Sequence, residues 1–465
     1  MISLTAKEIT DIVGGVLHGD PTAIVSKAPV FNSVKAQPGS LFLALIGEKS
    51  DGHEYVQDAF LHGATLALTS KKVVGNCLVV PDVISAVSTL AIEIRNRLSQ
   101  LTVIGITGST GKTTAKDLLT AVLTVHGPTV ATMQSFNNEL GMPITLLECD
   151  EKTAYCILEM GARHSGDIAR LCEIAKPNIG VVLGVGSAHL GEFGSVEKIA
   201  STKSELIKSL GPDGIAILGS YDSWTLDMAN VHNGRTVIFG VRPTDEVRAA
   251  DIELREGRPH FDLVTSAGRD AVGLRLVGSH QVANALSAAA VATVLGLSIE
   301  SIASALSTAE IQSKWRMELH ELPDLMLIND SYNANPESMA AALRTLVLFA
   351  QESGGQSWAF LGAMKELGSQ AAQEHAAIGF LAHTLGVDNL VCVNAAGYGE
   401  AVPENSHLAM HYCPDRTSAL ELVSHVSPGD VILVKGSRSE GLEELARGIE
   451  EVWLKRSSEI VEETQ

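Results

Sequence analysis

Residues able to do phosphate chemistry sit together between Val103 and Thr114. The apolar run Val103-Ile104-Gly105-Ile106 leads through Thr107 into Gly108-Ser109-Thr110-Gly111, and Lys112-Thr113-Thr114 then opens a helical pattern. A strand feeding such a turn lets the N–H groups around Gly108, Ser109, Thr110 and Gly111 point inward at phosphate oxygens. The helix that follows aims its positive end at the same spot. Lys112 can reach terminal phosphates, and the Thr113 hydroxyl can hold Mg²⁺. The strict phosphate-loop pattern asks for glycine at position 106, which is Ile106 here. The nest, the lysine and the hydroxyl remain.

Other candidate groups lie at strand ends or helix starts. Glu159 closes the apolar run Tyr155-Cys156-Ile157-Leu158. In a parallel sheet strand C-termini line the ligand crevice, so Glu159 is a Mg²⁺ ligand if its strand neighbours the one feeding the phosphate loop. Otherwise it is a strand-end carboxylate facing water. His189 follows a second strand end with a Gly-rich turn, and is either a metal ligand or a hydrogen-bonded turn histidine. Lys203 sits between Ile199 and Leu206 on an inward helical face. An inward lysine is costly unless paired or chemically altered, and a snorkelling stem is the plain alternative. Asn137 and Asn138 precede a helix and either bind an anion or cap it. Asn284 opens a later helix with an amide suited to base or ribose contacts. Asp330 ends a strand before Pro336, a favoured first helical residue. Lys435 and Arg438 place two cations beyond another strand.

The elements that must hold these groups read as α/β. The chain has 465 residues, 45% apolar, with a net charge of −20. That charge argues against nucleic acid or an anionic membrane as partner, so an anionic substrate must be held by local cations and helix N-termini. Six cysteines in no metal spacing look like reduced thiols of a cytoplasmic protein. No signal peptide or membrane-length apolar stretch is read. Residues 1–99 form a small α/β unit with strands at 41–45 and 64–68 and helices at 55–62 and 81–98. Residues 100–313 alternate strands (102–107, 129–133, 154–159, 179–185, 214–219) with helices (112–126, 138–147, 165–175, 195–210), a mostly parallel doubly wound sheet. Short alternating runs at 261–264 and 273–276 predict an antiparallel edge, followed by helices at 280–296 and 298–309. Residues 314–465 restart the rhythm with strands at 325–329, 357–361, 389–393 and 430–434 and helices at 336–350, 370–385, 416–425 and 441–454.

Taken together, Thr107–Thr114, Asn137-Asn138-Glu139-Leu140-Gly141, Glu159-Met160-Gly161, Ala188-His189-Leu190 with Phe193-Gly194-Ser195 and Lys203, and Asp330-Ser331-Tyr332-Asn333-Ala334-Asn335-Pro336 resemble the ATP-dependent Mur ligases of peptidoglycan synthesis. The resemblance spans essentially the whole chain. The last motif, with Leu433-Val434-Lys435-Gly436-Ser437-Arg438, is most similar to the branch that adds D-alanyl-D-alanine to UDP-N-acetylmuramoyl-tripeptide. It implies three α/β domains: an N-terminal UDP-substrate domain, a central P-loop-type ATPase domain and a C-terminal Rossmann-like domain. It further implies a cytoplasmic monomer acting on small molecules. Lys112, His189 and Lys203 would be catalytic. Lys112 would bind ATP phosphates, Thr113 and Glu159 one Mg²⁺, and His189 a second, with Lys203 carrying CO₂ as a carbamate. Asn284, Arg316 and Asp330 would hold ATP. Ser33, Lys35, Asn137, Asn138, Tyr332, Asn333, Asn335, Lys435, Ser437 and Arg438 would face substrate, and the UDP end would sit around 38–42 and 51–53.

The chain departs from the family pattern at three places. Asn32-Ser33-Val34 replaces Asp-Ser/Thr-Arg, with Lys35 next as a substitute cation; Leu361-Gly362-Ala363-Met364 lacks the usual aspartate; and His280-Gln281 replaces His-Asn. Two other readings stay open. A sister ligase, adding an amino acid to a muramoyl peptide or glutamate to folate, would share the ATP core. A non-catalytic P-loop module would share only the loop.

Overall fold

The computed structural model describes residues 1–463 except 49, 134, 135, 189 and 312. Among the described residues three large sheets organise it, in the N-terminal, central and C-terminal parts of the chain, with a small two-stranded sheet of Leu4–Thr5 and Ile24–Val25 beside the first. The first has five strands in the spatial order Val16–His18, Cys77–Val79, Leu66–Thr69, Ser40–Leu43, Lys27–Val30. All its pairings are parallel except the edge pair of Val16–His18 with Cys77–Val79.

The central sheet has nine strands. Thr102–Thr107, which feeds the phosphate loop, lies between Tyr155–Glu159 and Ile179–Val182. Thr129–Ala131 forms one edge beyond Tyr155–Glu159. On the other side follow Ile215–Gly219, Arg235–Gly240, and an antiparallel meander of Val247–Arg255, Arg258–Thr265 and Gly268–Gly273. Strands buried on both faces read as continuous apolar runs, which is why 103–106 and 156–158 carry no alternation. One apolar cluster packs the helices Lys112–Thr124, Gln281–Val294 and Ile299–Thr308 against one face. The cluster on the other face runs without a break from Leu4, Leu41 and Leu90 in the N-terminal domain to Met142, Leu158 and Leu206 in the central one. Arg95 adds a buried polar tie there, donating to the carbonyls of Ala175 and Lys176 and to the Asn178 side chain.

The C-terminal sheet runs Glu318–Leu322, Leu325–Asp330, Val431–Lys435, Ser357–Leu361, Asn389–Val393, Ala409–Cys413, parallel except for its first pair.

Several sequence expectations are corrected. The run 273–276 is not a strand: the meander's last strand is Gly268–Gly273, and Leu274 turns into the core. The helix expected at 138–147 begins at Gly141, because Asn138 Oδ1 accepts the N–H groups of Leu140 and Gly141 in the turn before it. The strand expected at 179–185 stops at Val182. Strands at Arg235–Gly240, Glu318–Leu322 and Ala409–Cys413 were not anticipated, nor was the helix Ala6–Val13, which a Thr5–Glu8 capping box starts. All six cysteines are free and buried. Among the described residues no helix is long and apolar enough to cross a membrane.

Candidate functional site

The phosphate loop is built by a glycine that no other residue can replace cheaply. Gly111 has φ +81°, and a Cβ there would stand 2.3 Å from the Asn284 Oδ1. Gly111 also begins the helix Lys112–Thr124 without a side-chain cap, so its first-turn N–H groups are left for a ligand. Asn284, held by a bond from its amide to Gln281 Oε1 at 2.8 Å, thus lies directly against the loop.

Glu159 meets the condition set for it. Its strand is parallel to the loop-feeding strand, with Glu159 opposite Ile106. The buried carboxylate accepts from Thr113 Oγ1 at 2.8 Å on one oxygen and from Asn137 Nδ2 at 2.8 Å on the other. Its own N–H donates to Thr132 Oγ1 at 3.0 Å. A carboxylate and a hydroxyl side by side are oxygen donors suited to a hard cation. Among the described residues no ready-made group of three or more His, Cys, Asp or Glu exists. A cation at Glu159 would therefore complete its shell from phosphate oxygens and water, as Mg²⁺ does.

Lys112 lies within reach of the charges of Glu159 and Arg316, and Lys203 within reach of Lys112. Lys112 Nζ donates to the Gly108 carbonyl at 2.7 Å. Burial lowers its pKa; Glu159 opposes that shift and Arg316 adds to it. Lys203 is buried on the helix Val196–Lys208, and among the described residues no carboxylate or carbonyl pairs with its amine. Burial holds its pKa well below the ordinary lysine value, and the neighbouring Lys112 charge pushes the same way. Lys112 and Arg316, two like charges in a low-dielectric site, call for an anion beside them. His189 lies outside the described residues.

Arg316 reaches this cluster from the linker between the central and C-terminal domains, with its guanidinium 4.1 Å from the Tyr332 ring centroid. Flanking it, Trp315 and Met317 adopt φ of 60° and 54°, a left-handed backbone that side chains resist. Three contacts hold that shape: Tyr332 N–H to Trp315 O at 3.1 Å, Met317 N–H to Asp330 Oδ1 at 3.1 Å, and the Arg438 guanidinium 4.4 Å from the Trp315 ring centroid.

The same linker is anchored to the phosphate-loop helix by residues that sequence reasoning missed. Ser313 N–H donates to Asp117 at 3.3 Å; Asp117 pairs with buried Lys116 at 2.8 Å, and Lys116 donates to the Thr132 carbonyl at 2.8 Å. The signal was two adjacent opposite charges one turn after Lys112 on a helix otherwise packed inward.

Asp330 and Lys435 are in register on neighbouring strands, and their side chains pair at 2.6 Å with Lys435 only 2% exposed. Lys435 also donates to the Asn333 carbonyl at 2.8 Å. Asn335 caps the helix Pro336–Ser353, and Asn333 Oδ1 accepts the Ala334 N–H. Ser437 Oγ accepts the Lys365 N–H at 2.9 Å. Ser33 is buried in a short turn that Asn32 caps, while Lys35 is exposed. In the N-terminal sheet the strand C-termini bring the segments after 30, 43 and 69 to one edge. There Asp51 is held well below the usual carboxylate range by Lys71, then by His53. Residues 38 and 39 precede their strand and lie at its other end.

Asp330→Ala is expected to leave the buried Lys435 ammonium with carbonyl partners but no counter-charge, a loss of about 3–5 kcal/mol in the stability of the C-terminal domain. Urea unfolding of Asp330→Ala, Lys435→Met and the double variant checks this. The double variant should lose less than the sum of the singles.

Residues 106–292 match the Mur ligase middle domain and residues 315–438 the Mur ligase, glutamate ligase domain. The chain is 40% identical, over 95% of its length and 96% of the relative's, to the UDP-N-acetylmuramoyl-tripeptide–D-alanyl-D-alanine ligase of Mycobacterium tuberculosis. A crystal structure of MurF from Acinetobacter baumannii superposes with a TM-score of 0.86 at 32% identity, covering 97% of this chain and 99% of that one. MurF ligase from Thermotoga maritima in complex with ADP superposes with a TM-score of 0.80 at 28% identity, covering 93% and 99%.

Proposed function

The chain belongs to the Mur ligase family, and from that premise we propose that it joins D-alanyl-D-alanine to UDP-N-acetylmuramoyl-tripeptide at the expense of ATP, in cytoplasmic peptidoglycan precursor synthesis. The observation that carries the reading is the phosphate loop itself: Gly111 turned left-handed against Asn284, Lys112 following it, and the Thr113 hydroxyl bonded to the buried Glu159 carboxylate at 2.8 Å.

The γ-phosphoryl of ATP passes to the terminal carboxylate of the tripeptide, giving an acyl phosphate and ADP. The dipeptide amine attacks the acyl carbon, and the tetrahedral intermediate expels phosphate to leave the amide. Lys112 and the loop N–H groups hold the transferring phosphoryl and meet the charge that builds on it. Asn284 and Arg316 fix the nucleotide from the two sides of the loop. Asn137 keeps Glu159 oriented toward Thr113. Mg²⁺ would be held by Thr113 and Glu159, with a second ion at His189 and a CO₂-derived carbamate on Lys203, and would neutralise phosphate charge. In this reading residues 1–99 take the UDP end, 100–313 take ATP, and 314–465 close over both. Water must be kept out, or the acyl phosphate hydrolyses.

An acceptor screen tests the proposal. UDP-muramoyl tripeptide and ATP are mixed with D-alanyl-D-alanine, single amino acids or glutamate, and ADP and amide are both measured. Amide formed with the dipeptide alone is expected. Turnover with a single amino acid instead would assign the chain to a sister activity, and nucleotide binding without ADP release to a binding module.

A further inference from the structure

The helix Pro336–Ser353 already has its cap: Asn335 and Ser338 satisfy each other across its first turn. Glu337, between them, turns away from its own helix and crosses to the central domain. Its Oε1 accepts the Ser187 N–H at 2.7 Å and the Ser187 hydroxyl at 2.9 Å.

Ser187 belongs to the turn after the strand Ile179–Val182, and that turn grips the phosphate loop. Ser109 N–H donates to Gly184 O at 3.0 Å, Gly186 N–H donates to Ser109 Oγ at 2.8 Å, and Ser109 Oγ donates to Gly186 O at 3.2 Å. A Cβ at Gly186 would lie 2.6 Å from Glu337 Oε1 and 3.5 Å from Ser109 Cβ. Loop, turn and carboxylate are therefore closely stacked, and a side chain at Gly186 would push the Glu337 carboxylate off Ser187.

The other half of the helix is braced. A Cβ at Gly257 would lie 2.9 Å from Phe349 Cε2, and one at Gly278 would lie 3.4 Å from Thr345 Oγ1. Val277 of the central domain is part of the C-terminal apolar cluster. The helix is a strut fixed against the central domain at one end, with Glu337 at the other.

We propose that Glu337 is a positioning residue for phosphoryl transfer: it holds Ser187, and through Gly186 and Ser109 it makes the catalytic shape of the phosphate loop conditional on docking of the C-terminal domain. This rests on the ligase reading above. The arrangement ties activation of the tripeptide to closure, so an acyl phosphate forms only where the acceptor side is already shielded. The contact is exposed and contributes little to folding stability, so its loss tests position.

The test compares wild type, Glu337→Ala, Glu337→Gln and Ser187→Ala, with and without Glu337→Ala, in the complete ATP, UDP-tripeptide and dipeptide assay. Glu337→Ala should lower kcat by roughly ten- to a hundredfold, the scale for a small misplacement of a reacting group, with KM for ATP changed less than about twofold. Its ratio of ADP to amide should rise above that of wild type. Glu337→Gln keeps the acceptor oxygen and should retain most turnover. Ser187→Ala should cost less in the Glu337→Ala background than alone. The inference is overturned if Glu337→Ala matches wild type, if its loss lies wholly in KM, if it turns over faster (a carboxylate blocking the anion site), or if Gln is as impaired as Ala. A wild type that makes no ADP with any acceptor would instead remove the ligase reading.

Discussion

Lys203→Ala is expected to stop amide formation while the protein stays folded, and Lys203→Arg to be equally inactive. The loss should be at least about a hundredfold, the scale for removing a preorganised charge stabiliser. The amine is buried on the helix Val196–Lys208, beside Lys112, and among the described residues no carboxylate answers it. An ammonium in that place would repel both Lys112 and any Mg²⁺ at Glu159. A carbamate reverses the sign: the neutral amine adds CO₂, loses a proton and presents two anionic oxygens suited to a hard cation. Arginine stays charged and cannot take CO₂. A small carboxylic acid in the buffer should partly restore Lys203→Ala by occupying the space left by the side chain. Activity in Lys203→Arg would make the residue a cation and end the carbamate reading. Thermal melting of each variant shows whether the fold has survived, so that a loss of turnover can be assigned to the site.

How much of this was readable depends on element length and on what sequence order hides. The alternation from Thr102 onward was legible because most of its strands are largely buried apolar runs and its main helices run 7 to 14 residues with inward faces. The N-terminal strands Leu4–Thr5, Val16–His18 and Ile24–Val25 are two or three residues long, too short to show a period. Arg235–Gly240 was passed over although its Val237 and Phe239 are buried on alternate positions. Asn137 and Asn138 could each be read as a cap or a ligand. The structure divides those roles, Asn138 accepting the helix-start N–H groups and Asn137 donating to Glu159. Asp330 and Lys435, 105 residues apart, looked like two separate strand-end charges. Their pairing needs the spatial strand order, which no local pattern contains. Glu337 was invisible for a similar reason: an acidic residue in a first helical turn is ordinarily explained by the helix dipole.

Lys112→Ala should leave the fold intact and lower turnover by at least about a hundredfold, because it removes a charge stabiliser aimed at the transferring phosphoryl. In the resting protein Lys112 donates to the Gly108 carbonyl at 2.7 Å, a bond to its own loop that phosphate oxygens can replace. The side chain is desolvated, a cost that the nearby Glu159 carboxylate only partly offsets and Arg316 adds to, so removing it relieves an unfavourable buried charge in the absence of nucleotide. The melting temperature of the free variant should therefore not fall. Stabilisation by added nucleotide should fall instead, since ligand binding raises stability only in proportion to affinity for the folded state. Two melting curves, with and without ATP, and one turnover assay separate these effects. A variant that melts like wild type in both conditions and still turns over would remove Lys112 from the chemistry. A variant that melts lower without nucleotide would make Lys112 a structural brace of the loop.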